Sequence, residues 1–213
     1  MFYDINDKQS LTAKVYNYVR DSILDGKYKH GDFLVETRLA EELSVSRTPI
    51  REALKQLEME GLLVAMPNRG VMVQGISSND IDDIYYMRQL LEGLAACWAA
   101  ERISKEELGK LEETVELMAF YTARNDVNQL SRLDGEFHEL IYKACNSRML
   151  RQTLGMLHQN ALQARQSSLN MPSRPSSSLE EHRAVYAAIE ARDPEAAKSA
   201  MELHVKNAHT ASM

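Results

Sequence analysis

Apolar side chains recur every three to four positions over the first sixty residues, and then the period shortens. Leu11, Val15, Tyr18, Val19 and Ile23 share one helical face, and Gly26 stands where that helix must end. Leu39, Ala40 and Leu43 mark a short helix over 37–43, followed by a tight turn at Ser44-Val45-Ser46. Ser46 is placed to cap a third helix that runs to Glu60. Pro49 is tolerated there because first-turn N–H groups have no partner within the helix. Gly61 stops it, and "LLVAM" and "VMVQ" then read as two short strands around the turn "PNRG". Helix, helix, turn, helix, hairpin is the order of a winged helix-turn-helix.

From "SSND" (77–80) onward the period is helical throughout. Ile84, Met87, Leu91, Leu94 and Trp98 form one stripe, and Leu108, Leu111, Val115 and Met118 a second. Ser104 and Glu107 have the spacing of a capping box at the start of that second helix. Leu130, Phe137 and Ile141 mark a third helix, and Leu150, Leu154, Leu157 and Ala161 a fourth. Leu179, Val185, Tyr186 and Ile189 mark a fifth, and Asp193-Pro194 opens a sixth. The Ser/Pro-rich "NMPSRPSSS" (170–178) reads as a loop. The expected fold is mainly α: a winged helix-turn-helix domain over 1–75, then an all-helical antiparallel bundle over 76–213, with the linker near 75–79. Trp98, Met118 and the other methionines are assigned to the core.

Composition narrows the classes. The 213 residues carry a net charge of −6, and residues 1–75 hold 10 Lys+Arg against 11 Asp+Glu. Any nucleic-acid contact therefore rests on a few placed cations rather than on a basic surface. Cys97 and Cys145 are isolated, as expected in a reducing compartment. No secretory pattern opens the chain, and no apolar run approaches the roughly 18 residues that span a bilayer. A cytoplasmic protein without membrane contact is the expectation.

"SVSRTPIREAL" (44–54) places two cations at a helix N-terminus, where the dipole prefers anions. Arg47 and Arg51, four apart, share a face. Such an end suits phosphates and base edges in a major groove, where an Arg fork pairs with guanine O6 and N7. Arg47, Thr48 and Arg51 are the candidates, with Ser46 capping and touching phosphate, and Arg69 beside Gly70 at the hairpin tip. The competing assignment is surface pairing of the arginines with Glu41, Glu42 or Glu52. "LVETRLAEELSVSRTPIREALKQLEMEGLLVAMPNRGVMV" resembles the DNA-binding domain of GntR-family bacterial transcription regulators through 34–73. The resemblance implies operator contacts from Ser46, Arg47, Thr48, Arg51, Arg69 and Gly70, with Arg38 reaching a phosphate.

The bundle carries polar groups on apolar faces. Asp134 and His138 are four apart, and Asp134 falls in the stripe of Leu130, Phe137 and Ile141. His182 lies among Leu179, Val185, Tyr186 and Ile189, and His204 among Ala197, Ala200, Met201 and Ala208. A buried carboxylate is costly unless paired or metal-bound. One Asp with three neutral imidazoles makes a first-row metal site with positions left open. Each histidine taken alone is more often a hydrogen-bonded core side chain, and the Asp–His pair an ordinary helix contact; four such groups on apolar faces together change that balance, because each needs a partner. The second half is similar to the FCD domain of the FadR-like branch of that family. Its Asp-x-x-x-His, His and His segments match "DGEFH", "EEHRAVYAAI" and "MELHV". This implies a divalent ion (Zn, Ni or Mn) on Asp134, His138, His182 and His204. "MRQLLEG" resembles the first FCD helix, whose Arg faces the ligand; Arg88 is alternatively in an i, i+4 salt bridge with Glu92. His158, Asn160 and Arg165 are further effector-pocket candidates, Glu181 is expected to point away, and His30 and His209 are expected on the surface.

The expected protein is a ligand-responsive repressor that binds palindromic operator DNA as a homodimer and senses a small organic acid at its metal site. Two alternatives remain at this point: a metal-free regulator of the same family with an acyl-type effector, and a three-His-one-carboxylate metalloenzyme fused to a DNA-binding head.

Overall fold

A computed structural model describes residues 10–67, 69–161, 164, 168–171 and 173–212. The chain divides into two compact units, Met1–Ser77 and Ser78–Met213.

In the first unit, helices α1 (Leu11–Leu24), α2 (Glu36–Leu43) and α3 (Arg47–Met59) pack around Val15, Val19, Leu39, Ile50, Leu54 and Leu57. Strands β2 (Leu63–Met66) and β3 (Gly70–Val73) form the expected hairpin. A third strand, β1 (Phe33–Leu34), pairs antiparallel with β3, giving the order β1-β3-β2. Two residues are too short to show alternation, so periodicity could not reveal β1. Ser46 takes the extended N-cap conformation of α3, but its side chain makes no capping hydrogen bond, contrary to expectation.

Gly70 has φ +92°, and a Cβ there would lie 2.6 Å from the Leu34 carbonyl oxygen. The glycine is required by the approach of β1 to β3, whatever its part at the hairpin tip. Gly70→Ala is expected to cost about 1–3 kcal/mol through backbone strain. Urea unfolding of the intact protein, with faster amide exchange in β3, is the measurement; unchanged exchange there would refute it.

The second unit is all-helical among the described residues: α4 (Ser78–Arg102), α5 (Lys105–Thr122), α6 (Val127–Ala144), α7 (Arg148–Asn160), α8 (Arg174–Glu190) and α9 (Pro194–Ser212). The core is built on Tyr85, Phe137, Ile141, Leu154, Val185 and Met201. The Ser104–Glu107 capping box forms, and Asp193 caps α9 by accepting from the Ala196 N–H at 3.0 Å. Helices α4 and α9 run antiparallel, so that Tyr85 meets His209 and Gly93 meets Glu202. Arg192 donates to the carbonyls of Ala100 and Ile103 at 3.2 and 2.7 Å and satisfies the C-terminal end of α4.

Several sequence expectations are corrected. The buried face of α4 carries Ile84, Tyr85, Arg88, Glu92, Ala95 and Ala99, while Met87 is exposed and Leu91, Leu94 and Trp98 are half-buried. The stripe was misplaced because this helix buries charge and small residues and leaves Tyr86 and Leu90 outside. Residues 174–178 are the first turn and a half of α8, so the loop is shorter than 170–178. Met118 and Met201 are buried, but Met59, Met87, Met149, Met156 and Met171 are exposed. No helix among the described residues is long and apolar enough to cross a membrane.

Candidate functional site

Helix α3 presents its first turn to solvent. Arg47 and Arg51 reach the same carboxylate. Glu36, the first residue of α2, accepts from Arg47 Nη2 at 3.1 Å and from Arg51 Nε and Nη2 at 3.0 Å each. The competing surface pairing therefore exists, but with Glu36 rather than Glu41, Glu42 or Glu52. Glu42 instead accepts from Tyr18, and Glu52 from Thr12. Arg51, then Arg47, holds the Glu36 carboxyl below its usual range. Ser46, Thr48, Arg38, Arg69 and Gly70 are exposed. The Arg69 guanidinium carbon stands 5.9 Å from the Phe33 ring centroid, so the hairpin tip leans on β1.

In the second unit Asp134 and His138 come from α6, His182 from α8 and His204 from α9. All four are buried, and one ligand atom from each lies within 4.8 Å of the others. What turns these atoms toward one another is a second layer of acceptors. His182 Nδ1 lies 2.7 Å from the Ser178 carbonyl oxygen one turn earlier in α8 and donates to it. His204 Nδ1 is 2.9 Å from Glu181 Oε2, and His138 Nδ1 is 2.6 Å from Glu92 Oε2. The last contact is off the ideal line, but it is too close for two lone pairs, so the proton lies on Nδ1. All three rings are thus in the tautomer that leaves Nε2 bare. His138 Nε2 and His204 Nε2 then face each other at 3.2 Å, and His182 Nε2, with no hydrogen bond, stands 3.3 Å from Asp134 Oδ1. Three imidazole nitrogens and a carboxylate converge, a donor set whose chemistry fits a divalent cation.

The acceptors are themselves held. Burial would raise the Glu92 carboxyl, but Arg88 and then His138 outweigh it and keep it well below the usual carboxylate range. Burial works the same way on Glu181, yet its bonds from His204 and Arg174 bring it down to about 2. Arg174 grips that carboxylate with both ends of its fork at 2.8 Å, and Asn207 Nδ2 donates at 2.8 Å. His204 is pushed down to about 3 by burial first and by His182 next, so it is neutral near pH 7. Outer partners of this kind fix ring orientation and tautomer around metal ions.

Arg88 makes the expected i, i+4 salt bridge with Glu92 and also faces a cavity. Nε donates to Glu92 Oε1 at 2.7 Å, while Nη1 is buried without a hydrogen bond. The side chain lines a small cavity with Asp134, His138, His204 and Arg174. His158 stands behind the cluster, its ring 5.5 Å from that of His138 and its Nδ1 3.4 Å from the Tyr142 hydroxyl; it lines neither this cavity nor the one beside it. Asn160, at the end of α7, lines neither as well, and Arg165 lies outside the described residues. His30 is exposed as expected, with Nδ1 2.9 Å from the Gln74 carbonyl. His209 is not: it is buried against the Tyr85 ring, with Nε2 2.7 Å from Asp82 Oδ1.

Sequence reasoning missed Arg174, Ser178 and the inward turn of Glu181. Arg174 and Glu181 are seven apart, two helical turns, but the Ser/Pro-rich composition concealed that they share a helix.

Residues 11–73 match the model of bacterial regulatory proteins of the gntR family, and residues 83–207 match the FCD domain. The HTH-type transcriptional regulator YdhC of Bacillus subtilis is 32% identical over 191 residues, 89% of this chain and 85% of its own length. The HTH-type transcriptional repressor RspR of Escherichia coli is 27% identical over 202 residues, 95% and 89% of the two chains. The solved structure of E. coli McbR/YncC superposes with a TM-score of 0.73 at 25% identity, covering 93% of this chain and 94% of that one. A winged helix-turn-helix and a helical effector domain with a buried polar cluster define a bacterial transcription regulator. The chain belongs to the GntR family and carries an FCD domain. The matched families and relatives are regulators rather than enzymes, which removes the metalloenzyme alternative.

Proposed function

We propose that this regulator binds a palindromic operator as a homodimer and senses a small organic acid at a divalent metal ion held by Asp134, His138, His182 and His204. One observation carries this: three bare Nε2 atoms and Asp134 Oδ1 converge while each Nδ1 is committed outward. Such an ion, when bound, supplies a Lewis-acid anchor for a carboxylate oxygen. Arg88 Nη1, buried without a partner on the same cavity, offers a charge-assisted hydrogen bond to that acid. A metal-free acyl pocket would leave the converging lone pairs unexplained.

The DNA-facing roles rest on Arg47, Thr48 and Arg51 at the start of α3, with Ser46, Arg38, Arg69 and Gly70 around them. The homodimer reading is supported by Tyr86, Met87 and Leu90, which leave an apolar strip on the outer side of α4 that a second copy would cover. Repressor action follows the printed role of RspR.

The test is elemental analysis of the purified protein combined with operator titration before and after chelation. About one ion per chain, and an operator affinity that responds to added carboxylate only in the loaded form, are expected. Glu181→Gln should lower metal affinity by roughly 10–100-fold, because it weakens the acceptor that orients His204. Direct titration of the apo protein with Zn reads this, and an unchanged affinity would remove Glu181 from that role.

A further inference from the structure

Strand β1 divides its two residues between opposite faces. Leu34 is 5% exposed and belongs to the core of the first unit, whereas Phe33 is 42% exposed. The register sets Phe33 beside Met72, and Met72 beside Val64, so the ring stands on the outer face of the sheet at its edge. The core does not require it there.

What the ring meets is Arg69. The guanidinium carbon lies 5.9 Å from the ring centroid, inside the roughly 6 Å over which an aromatic face attracts a cation. Among the described residues the Arg69 fork has no carboxylate or carbonyl partner. Arg47 and Arg51 are held differently, since both spend N–H donors on Glu36. A carboxylate fixes an arginine by taking up its donors and offsetting its charge. A ring orients it and leaves the charge and the N–H groups available. The backbone beneath is fixed by the same strand: the Arg69 N–H donates to the Met66 carbonyl at 3.0 Å, and Gly70 packs against the Leu34 carbonyl oxygen.

Resting on the reading of Arg69 as a DNA contact, we infer that Phe33 is a positioning residue of the DNA-binding head. Its ring holds the Arg69 fork at the hairpin tip, uncompensated, for the narrow minor groove of an A·T-rich tract. Such a groove concentrates negative potential and attracts inserted arginine. A side chain oriented beforehand loses less freedom when it is immobilised on binding. An exposed cation–ring contact corresponds to roughly two- to fivefold in affinity, which sets the size of the expected effect.

The experiment uses the intact protein and a duplex that it selects from random-sequence DNA, with the selected core flanked by A·T or by G·C pairs. The wild type should prefer the A·T-flanked form. Phe33→Leu should bind that form roughly two- to fivefold more weakly, with its salt slope and its urea midpoint unchanged. Phe33→Trp, whose ring attracts a cation best, should restore binding. Arg69→Ala should reduce the salt slope by about one, and in that background Phe33→Leu should cost nothing further. Phe33→Met serves as the second variant, should Phe33→Leu fail to fold. Additive losses from the two substitutions, full binding by Phe33→Leu, or no recovery in Phe33→Trp overturns the positioning role while Arg69 stands as a DNA contact. Equal wild-type affinity for the two flanks overturns the minor-groove assignment. Unchanged affinity and slope in Arg69→Ala remove the DNA contact itself, and this inference with it.

Discussion

Replacing His182 with alanine is expected to lower metal affinity by more than about a hundredfold, a larger loss than removal of an outer partner produces. His182 is buried, its Nδ1 is spent on the Ser178 carbonyl, and its Nε2 has no hydrogen bond. Without the ring, α8 contributes no ligand, and the remaining three come from α6 and α9 alone. An ion that binds the folded state at a thousand times its dissociation constant adds about 4 kcal/mol of stability. Chelation should therefore lower the melting temperature of the wild type by on the order of 10 °C and that of the variant by little. Losing the edge contact with Phe137, 4.6 Å between ring centroids, also costs packing. Chelated wild type against chelated variant measures that packing cost, and the difference between the two chelation-induced shifts isolates ligation. Full metal stoichiometry in His182→Ala would remove the residue from the site.

Arg47→Ala should weaken operator binding by about 1–3 kcal/mol, roughly fivefold to 150-fold, and relax base preference, if its fork makes a bidentate guanine contact. Equal losses on operator and random DNA would mark a phosphate contact instead. Glu36→Gln is expected to act in the opposite direction on random DNA. The one carboxylate accepts from both Arg47 and Arg51, so its neutralisation leaves both forks uncompensated at the start of α3. Non-specific binding should strengthen, the dependence of log K on log salt should steepen by about one, and discrimination between operator and random sequence should fall. Titrations at several salt concentrations measure all three. Unchanged slopes would mean that Glu36 has no part in presenting the arginines.

The first unit was legible because its signals are local. The cap position at Ser46, the stops at Gly26 and Gly61 and the turn before Gly70 each lie within a few residues of the element they bound. The strand at 33–34 was not legible, since its pairing with β3 depends on residues nearly forty positions away. The buried Asp/His cluster was legible for a different reason. Asp134, His182 and His204 interrupt otherwise apolar stripes, and the interruption is itself the signal. Helix α4 defeated the same logic: Arg88 and Glu92 sit on its buried face, so a search for apolar periodicity rotated the helix toward Met87 and Leu91. The outer acceptors were hidden as well. Glu181 neighbours a ligand in sequence, and only the fold turns it back onto His204. His209 found its partner in Asp82, more than a hundred residues earlier.

Strand β1 ends at Leu34, and Glu36 follows two residues later. The same short stretch of backbone therefore braces the wing on one side and anchors both arginine forks on the other. Groove width felt at the hairpin and base identity felt at α3 would not be independent variables for a protein so built. Paired operator changes, one beneath the wing and one beneath the reading helix, would combine non-additively, and the search for target sequences would weigh shape and letters together.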